Sequence, residues 1–433
     1  MTKTRVADPR TTRNEEIVEL IRVGGAATQP RLITWDGRRA RISRRTPIMD
    51  PTLTRAIRLP AGATAYGSTH ELFTEVSGII ARVTRLSDDV VAQIAFFVFA
   101  TWLADCLTLA PLLWIVAPSM ASTSPLSQVL GLVCRQTLPV PELTVAALRS
   151  LPTYLKPTIV AEASIATRTL MKVIRATNRR GAFLVAGNQA HDLSCARIIF
   201  ANEPLRDPAP AGFPLEIALV RTSEYVPVMD LSEAERVAAK FQGKFLMYRL
   251  ANHKNVVAPN LNLSGLAAPT QELAQNLAAC IIGDDELRSR IVPLLTPRDQ
   301  ELRVDRAELL ESIVLEALLA DCHDGESGVL PIIYLTRGVN TILAGRGETL
   351  EVSPEIVGWK LRALGLRSEF ISGGRKGLAL HSETRATIHR LAAAYGVRTL
   401  RQLPANNCSD CAALEMWQMP RTDAQSNSIE EST

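Results

Sequence analysis

The chain has 433 residues, 47% of them hydrophobic and 21% charged, which is ordinary globular composition and room for two or three domains with full cores. Aromatic residues make up only 5%, which argues against a carbohydrate-binding or base-stacking surface. The net charge of +4 is mild but uneven: Met1 to Pro60 carries 13 Lys and Arg against 6 Asp and Glu, Leu330 to Leu400 carries 10 against 5, and Arg401 to Thr433 carries 2 against 5. Two basic regions around a near-neutral middle suit a polyanionic partner.

Met1 to Arg58 is Arg-rich, with a Gly24-Gly25 turn and strand-like alternation at Arg31 to Trp35 and Arg41 to Ser43. It reads as a small β-rich arm over 1–60, closed by Leu59-Pro60-Ala61-Gly62. No secretory signal opens the chain, because Met1 to Arg22 is charged and polar, so a cytoplasmic location is expected. Helical periodicity follows at Thr69 to Leu86 and at Ser87 to Leu109, where Ser87 before Asp88-Asp89 makes a cap-like start. The apolar run Ile94 to Pro118 is long enough for a bilayer. Asp105 near its centre costs roughly 2.5–3.5 kcal/mol in a membrane, and Pro111 breaks the helix. A buried helix followed by a buried strand explains the run better, and no membrane partner is expected.

Leu112 to Val116 is an apolar strand that enters a small-residue turn and a second apolar segment. That is the context of the phosphate loop G-x-x-x-x-G-K-[ST]. The eight aligned positions are Ala117, Pro118, Ser119, Met120, Ala121, Ser122, Thr123 and Ser124. Both glycines and the lysine are replaced, leaving Ser122, Thr123 and Ser124 as candidate nucleotide contacts. Pro157 to Glu162 is an apolar strand with the layout of a Walker B strand, in which Ala161 stands at the metal aspartate and Glu162 remains to orient water. Arg197 to Ala201 ends at Asn202, a sensor position, and Leu215 to Val220 ends at Arg221. Ligands of open α/β sheets sit at such carboxyl ends.

With Thr101 to Asp105, Ala110 to Leu113, Leu155 to Ile159 and Lys376-Gly377-Leu378, residues of about 60–400 resemble the helicase-like P-loop ATPases (RecA/AAA+ type) of phages and mobile elements. The resemblance implies an α/β fold: a P-loop NTPase-like parallel sheet core over 61–231, then a helical lid over 232–325. The chain departs from that family at the Walker A glycines, the Walker A lysine and the Walker B aspartate. Glu162, Asn202 and Arg221 therefore stand as vestigial catalytic positions, ATP and Mg²⁺ are not expected as working cofactors, and ATP hydrolysis is expected to be absent or very slow. A homo-oligomer is compatible with this reading.

Beyond the core, Leu231 to Leu250 reads as an amphipathic helix capped by Ser232, and further helices follow at Thr270 to Ile282, Asp285 to Leu295 and Arg306 to Cys322. From there the order is strand (Leu330 to Tyr334), helix (Thr336 to Ala344), helix (Pro354 to Leu364), two strands (Arg367 to Ile371 and Gly377 to His381) and a closing helix to Tyr395. That is the order of a winged helix over 326–400. Lys360 and Arg362 fall on its recognition helix, Arg375 and Lys376 at its wing tip, so DNA is the expected partner, bound mainly through phosphates. A protein partner is the competing reading, and an active NTPase with an atypical phosphate loop is a third.

Of seven cysteines, five are isolated and read as small core residues. Cys408 and Cys411 form one C-x-x-C, which supplies two of the four ligands that zinc requires. A second pair would have to come from another subunit or from His381 and His389 in space. No metal site is assigned, and 401–433 is read as a flexible tail. His191-Asp192 and Asp321 to Asp324 lack metal-ligand spacing.

Overall fold

The structure, a computed structural model, describes residues 17–411 apart from 25–28, 37, 44–49, 118–123, 151–154, 164–167, 187–188, 205–213, 220–226, 308, 324–327, 349–350, 372–374, 398–407 and 409–410. It divides into two compact units, Met1–Thr296 and Pro297–Thr433. The division falls inside a helix, at Pro297, where the ring and the missing N–H both oppose an unbroken helical ladder.

The first unit opens with β1 (Ile17–Ile21), β2 (Arg31–Trp35) and β3 (Ala40–Ile42), an antiparallel sheet in that order. A short α1 (Pro51–Ala56) is capped by Asp50, whose carboxylate accepts from the N–H of Thr52 and Leu53. The next helix, α2 (Thr69–Thr84), begins in a capping box: Ser68 Oγ accepts from Glu71 N–H at 3.1 Å while Glu71 accepts from Ser68 N–H at 2.8 Å. Then come α3 (Asp88–Trp102), β4 (Leu112–Val116), α4 (Ser124–Val133), β5 (Thr137–Glu142), α5 (Val145–Ser150), β6 (Thr158–Ala163) and α6 (Arg168–Asn178). A hairpin of β7 (Phe183–Ala186) and β8 (Gln189–Asp192) leads into β9 (Arg197–Ala201) and β10 (Leu215–Ala218). The unit closes with α7 (Leu231–Asn252), α8 (Ala268–Ala279), α9 (Asp285–Ser289) and the start of α10 (Ile291–Ala307).

Five strands form one wholly parallel sheet in the order β10-β4-β9-β6-β5. Period-two alternation sends Leu113, Ile115, Ile198, Phe200 and Ile217 to one face, where they share a core with α2, α3, α4, α7 and α8. Leu112, Trp114, Ile159, Ala161 and Ile199 go to the other, against α5 and α6. From β4 the chain crosses over the first face through α4 to the far edge at β5. From β5 it steps back over the second face through α5 and α6, and β10 is finally laid outside β4. The winding therefore reverses at β4, and the crevice that such a reversal opens lies at its carboxyl end. This is the α/β, P-loop NTPase-like core that the four-strand series predicts. The fifth strand, β5, escapes prediction because it carries Pro139 and Pro141. Prolines are confined to edge strands, and β5 is an edge.

The helix α3 is buried on nearly every side from Val91 to Trp102, which accounts for the apolar run without a bilayer. Among the described residues no helix is long and apolar enough to cross a membrane. Neither the N-terminal strands nor the helices after β10 stand apart from the core. Ile17, Ile21, Ile33, Phe241, Phe245, Leu277 and Ile281 all enter the cluster on the first sheet face. The cap of α7 is Asp230, which accepts from Glu233 N–H at 2.8 Å, rather than Ser232.

At the amino edge of the sheet lies an ion network, buried at Glu19, Arg135 and Arg249 and part-exposed at Asp105. Glu19 of β1 accepts from Arg135 at 2.9 Å and from Arg249 of α7 at 2.5 Å, and Arg249 also grips Asp105 at 2.6 and 2.8 Å. Burial alone raises the pKa of Glu19, but the guanidinium groups of Arg135 and Arg249 outweigh it and hold the carboxyl below its ordinary range. Asp105 follows the same pattern: burial opposes ionisation, Arg249 and His253 favour it, and the result lies well below the usual value. Gln136 and Lys156, the residues near the starts of β5 and β6, both have φ of 47°, a left-handed conformation costly for a residue with a side chain. Gln136 donates to Glu19 at 3.2 Å and Lys156 binds Asp192 at 2.5 Å, so hydrogen bonds and charge hold both turns in place.

The second unit contains α11 (Leu310–His323), β11 (Val329–Pro331), α12 (Ile332–Gly345), α13 (Pro354–Ala363), β12 (Glu369–Ile371), β13 (Arg375–Ala379) and α14 (Ser382–Tyr395). Its strands pair antiparallel in the order β11-β13-β12. Leu318, Leu335, Val339, Val357, Leu361, Ile388 and Ala392 build its core. Asn340 fixes the approach to α13, donating to the Val352 carbonyl at 3.1 Å and accepting from its N–H at 2.9 Å. Gly396 ends α14 at φ 68°, where glycine meets no penalty.

Candidate functional site

The carboxyl ends of β4, β9 and β6 lie side by side. Val116 and Ala163 both pair with Ala201, the Ala117 N–H donates to the Ala201 carbonyl at 2.8 Å, and the Leu219 N–H donates to Val116 at 2.8 Å. Asn202, the next residue after β9, is exposed in the middle of this row. Trp114 braces the same turn from beneath, its indole N–H donating to the Glu203 carbonyl at 3.1 Å. Glu162 pairs with Phe200, is exposed, and shares the sheet face of Val160, the face that α4 covers. Ser124 is exposed as the first residue of α4. The fold thus brings Ser124, Glu162 and Asn202 to one edge. Ser122, Thr123 and Arg221 lie outside the described residues.

A nucleotide triphosphate with Mg²⁺ asks for backbone free to wrap the phosphates, a cation on them and a carboxylate toward the metal. The amino end of α4 offers dipole and N–H groups, but the positions aligned with the phosphate loop and the metal aspartate supply neither glycine, nor cation, nor carboxylate. From Leu112 to Val133 the only glycine is Gly131, inside α4, and there is no lysine or arginine. Ala161, at the metal-carboxylate position, is 2% exposed and packs among Leu112, Trp114 and Ile159. The residues present do not fit a hydrolytic ATP–Mg²⁺ site.

In the second unit the four expected basic residues have unequal standing. Lys360 is engaged by Glu311 of α11, Nζ to Oε1 at 2.6 Å. Arg362, near the end of α13, is exposed. Lys376 is exposed on β13 with its ammonium 5.4 Å from the Phe370 ring. Arg375 opens β13 opposite Ile371, and its side chain lies outside the described residues. Trp359 on α13 is 66% exposed and Phe370 on β12 is 77% exposed.

The expectation for Cys408 and Cys411 needs correcting. Cys411 is fully buried, not part of a solvent-exposed tail. His323 Nε2 lies 3.1 Å from Cys411 Sγ and 3.3 Å from His389 Nε2, and Cys408 Sγ lies 3.3 Å from His389 Nε2. His389 belongs to the group, as one alternative had it, but His381 does not. Its place is taken by His323, which sequence reading missed because it sits 66 residues from His389 and 85 from Cys408. Four potential donor atoms thus converge where the sequence alone assigned no metal site. Of the other suggestive pair, Asp192 is occupied by Lys156 and by Ser194, whose hydroxyl it accepts at 2.6 Å.

No protein-family model matches the chain, and no curated protein matches it. Among solved structures the chain is similar to a full-length MCM homolog from Methanopyrus kandleri, at 11% identity over 66% of this chain and 77% of that one, with a TM-score of 0.31. It is also similar to the apo NrS-1 C-terminal region, at 12% identity over 84% and 96% of the two chains, with a TM-score of 0.32. At these scores neither likeness bears on activity, and the fold class rests on the strand order itself.

Proposed function

We propose that this chain is a nucleic-acid-associated protein of helicase-like P-loop type in which the ATPase sheet is kept as a scaffold and hydrolysis is absent or very slow. The observation that carries this reading is the carboxyl edge of the sheet. It has the strand order and the winding reversal of a nucleotide-binding core, it aligns Ser124, Glu162 and Asn202, and the sequence from Ala117 to Ser124 holds neither glycine nor lysine. Positioning and charge stabilisation make up nearly all of phosphoryl-transfer catalysis, so losing the loop cation and the metal carboxylate together removes most of it.

The second unit supplies the nucleic-acid side of the proposal. Its helix–strand–helix–helix–hairpin order is that of a winged helix, with α13 as recognition helix and the β12–β13 hairpin as wing. Arg362 and Lys376 are the cations this reading assigns to phosphate, while Lys360 must first leave Glu311. A second reading, docking of a protein, is favoured by the exposed side chains of Ile333, Tyr334, Trp359 and Phe370. Paired titrations decide between them. Mg²⁺–ATP should bind weakly or not at all, whereas duplex DNA should bind with an affinity that falls steeply between low and moderate salt. DNA affinity that is absent or insensitive to salt would remove the nucleic-acid half of the proposal.

A further inference from the structure

Two imidazole and two thiol donors converge in the second unit from three separate stretches of chain. His323 is the last residue of α11, His389 lies on α14, and Cys408 and Cys411 follow that helix. The two helices are held together by Leu318, Leu319, Cys322, Ile388 and Ala392, which share one core. All four ligand atoms lie within 4.8 Å of one another.

The hydrogen bonding explains which atoms face inward. His389 Nδ1 lies 2.7 Å from the Arg385 carbonyl, an acceptor only, so Nδ1 carries the proton and Nε2 presents its lone pair to the cluster. Arg385 is itself anchored, its guanidinium donating to the Cys322 carbonyl at 2.8 Å. A histidine that binds a metal through one nitrogen and donates its other N–H to a backbone carbonyl is the usual outer-sphere arrangement of metal sites. As a purely hydrogen-bonded group the cluster is poorly matched, because the single lone pair of His389 Nε2 faces both His323 Nε2 and Cys408 Sγ at 3.3 Å. A central dication gives every donor its own bond.

We infer that His323, His389, Cys408 and Cys411 form a structural zinc site. Zn–N bonds of about 2.0–2.1 Å at the tetrahedral angle set two imidazole nitrogens about 3.3–3.4 Å apart, and the two Nε2 atoms stand at 3.3 Å. The same geometry with Zn–S of about 2.3 Å asks for roughly 3.5 Å between sulfur and nitrogen. The sulfurs lie at 3.1 and 3.3 Å and need to move outward by only a few tenths of an ångström. Two thiolates with two imidazoles in a tetrahedron select zinc among common divalent ions. All four positions are filled by protein, and His389 and Cys411 are 1% and 0% exposed, so no position is left for water and the site is structural. Binding deprotonates both thiols, releases protons and clips the chain after α14 onto α11 and α14.

The test uses the full-length chain, purified with reduced thiols and dialysed against buffer holding free zinc at a fixed nanomolar level. Elemental analysis should find about one zinc per chain, as a closed four-ligand site requires. Replacement by Co²⁺ should give the visible bands of tetrahedral cobalt with a thiolate charge-transfer band. Cys408→Ser with Cys411→Ser should lower zinc content at least tenfold, and His323→Ala should weaken cobalt binding while leaving two thiolates. The spectrum of the unaltered chain stands even if a variant folds poorly. Zinc-free protein with both thiols reduced would overturn the assignment. So would undiminished zinc in the double serine variant, or a Cys408–Cys411 disulfide in protein trapped directly from cells.

Discussion

The two edges of the parallel sheet hold their charge very differently. At the amino edge Glu19, Arg135, Arg249 and Asp105 form one ion network, with the side chains of Glu19, Arg135 and Arg249 at 2, 8 and 3% exposure. At the carboxyl edge, where sheets of this kind hold their ligands, Glu162 and Asn202 are exposed, and the segment from Leu112 through α4 carries no charge. Charge in this core is concentrated where it fixes the fold and is sparse where a phosphate would need it. The sheet topology is thus held by packing and by the amino-edge ion network, independently of what the carboxyl edge binds.

The largest effect should come from the amino edge. Arg249→Ala leaves the buried Glu19 with Arg135 and the part-exposed Asp105 with His253, and should destabilise the first unit by about 3 kcal/mol, the low end of the cost of breaking a buried pair from one side. Urea denaturation read by tryptophan fluorescence measures it. A loss under 1 kcal/mol, the range of a surface pair, would mean that the amino edge is no more invested than the carboxyl edge.

Acid should expose the same network. Glu19 and Asp105 have folded pKa values below their ordinary 4.5 and 3.8. A depressed carboxylate gives stability that is fully present above its unfolded pKa and lost as pH falls through the folded one. Stability should stay level from neutral pH down to those ordinary values, then fall steadily below them. Arg249→Met should flatten that decline. An unchanged acid limb in the variant would place the pH sensitivity elsewhere.

The scaffold was legible and the sites less so, for physical reasons. Leu112 to Val116 and Arg197 to Ala201 announce themselves as buried strands because both faces of a parallel sheet are covered, which makes them continuous apolar runs. β1 does not, since its central residue is Glu19, an inward-facing acid that makes sense only once Arg135 and Arg249 arrive from 116 and 230 residues away. The Cys408–Cys411 pair was visible as half a site. Its other half, His323 and His389, is set by the packing of α11 on α14, which no local spacing encodes. Glu162 and Asn202 were placed at the carboxyl edge because they lie at the ends of recognisable apolar strands, and Ser124 because it opens the helix after one.

A smaller effect is expected in the second unit. Arg362→Ala and Lys376→Ala should each weaken DNA binding modestly and lower the salt slope by about 0.9 for each phosphate no longer neutralised, with little change in sequence preference. Lys360→Ala should do less, because Glu311 already occupies its ammonium. A larger loss from Trp359→Ala than from Arg362→Ala, with the slope unchanged, would turn the surface toward a protein partner.

The contrast between the two edges is tested most directly by Mg²⁺-dependent ATP turnover of the full-length chain, measured beside Glu162→Gln. The account predicts no turnover above background in either protein, since an oriented water without a loop cation or a metal carboxylate has nothing to stabilise the transferring phosphoryl group. Robust Mg²⁺-dependent hydrolysis that disappears in Glu162→Gln would contradict it and make the carboxyl edge a working active site.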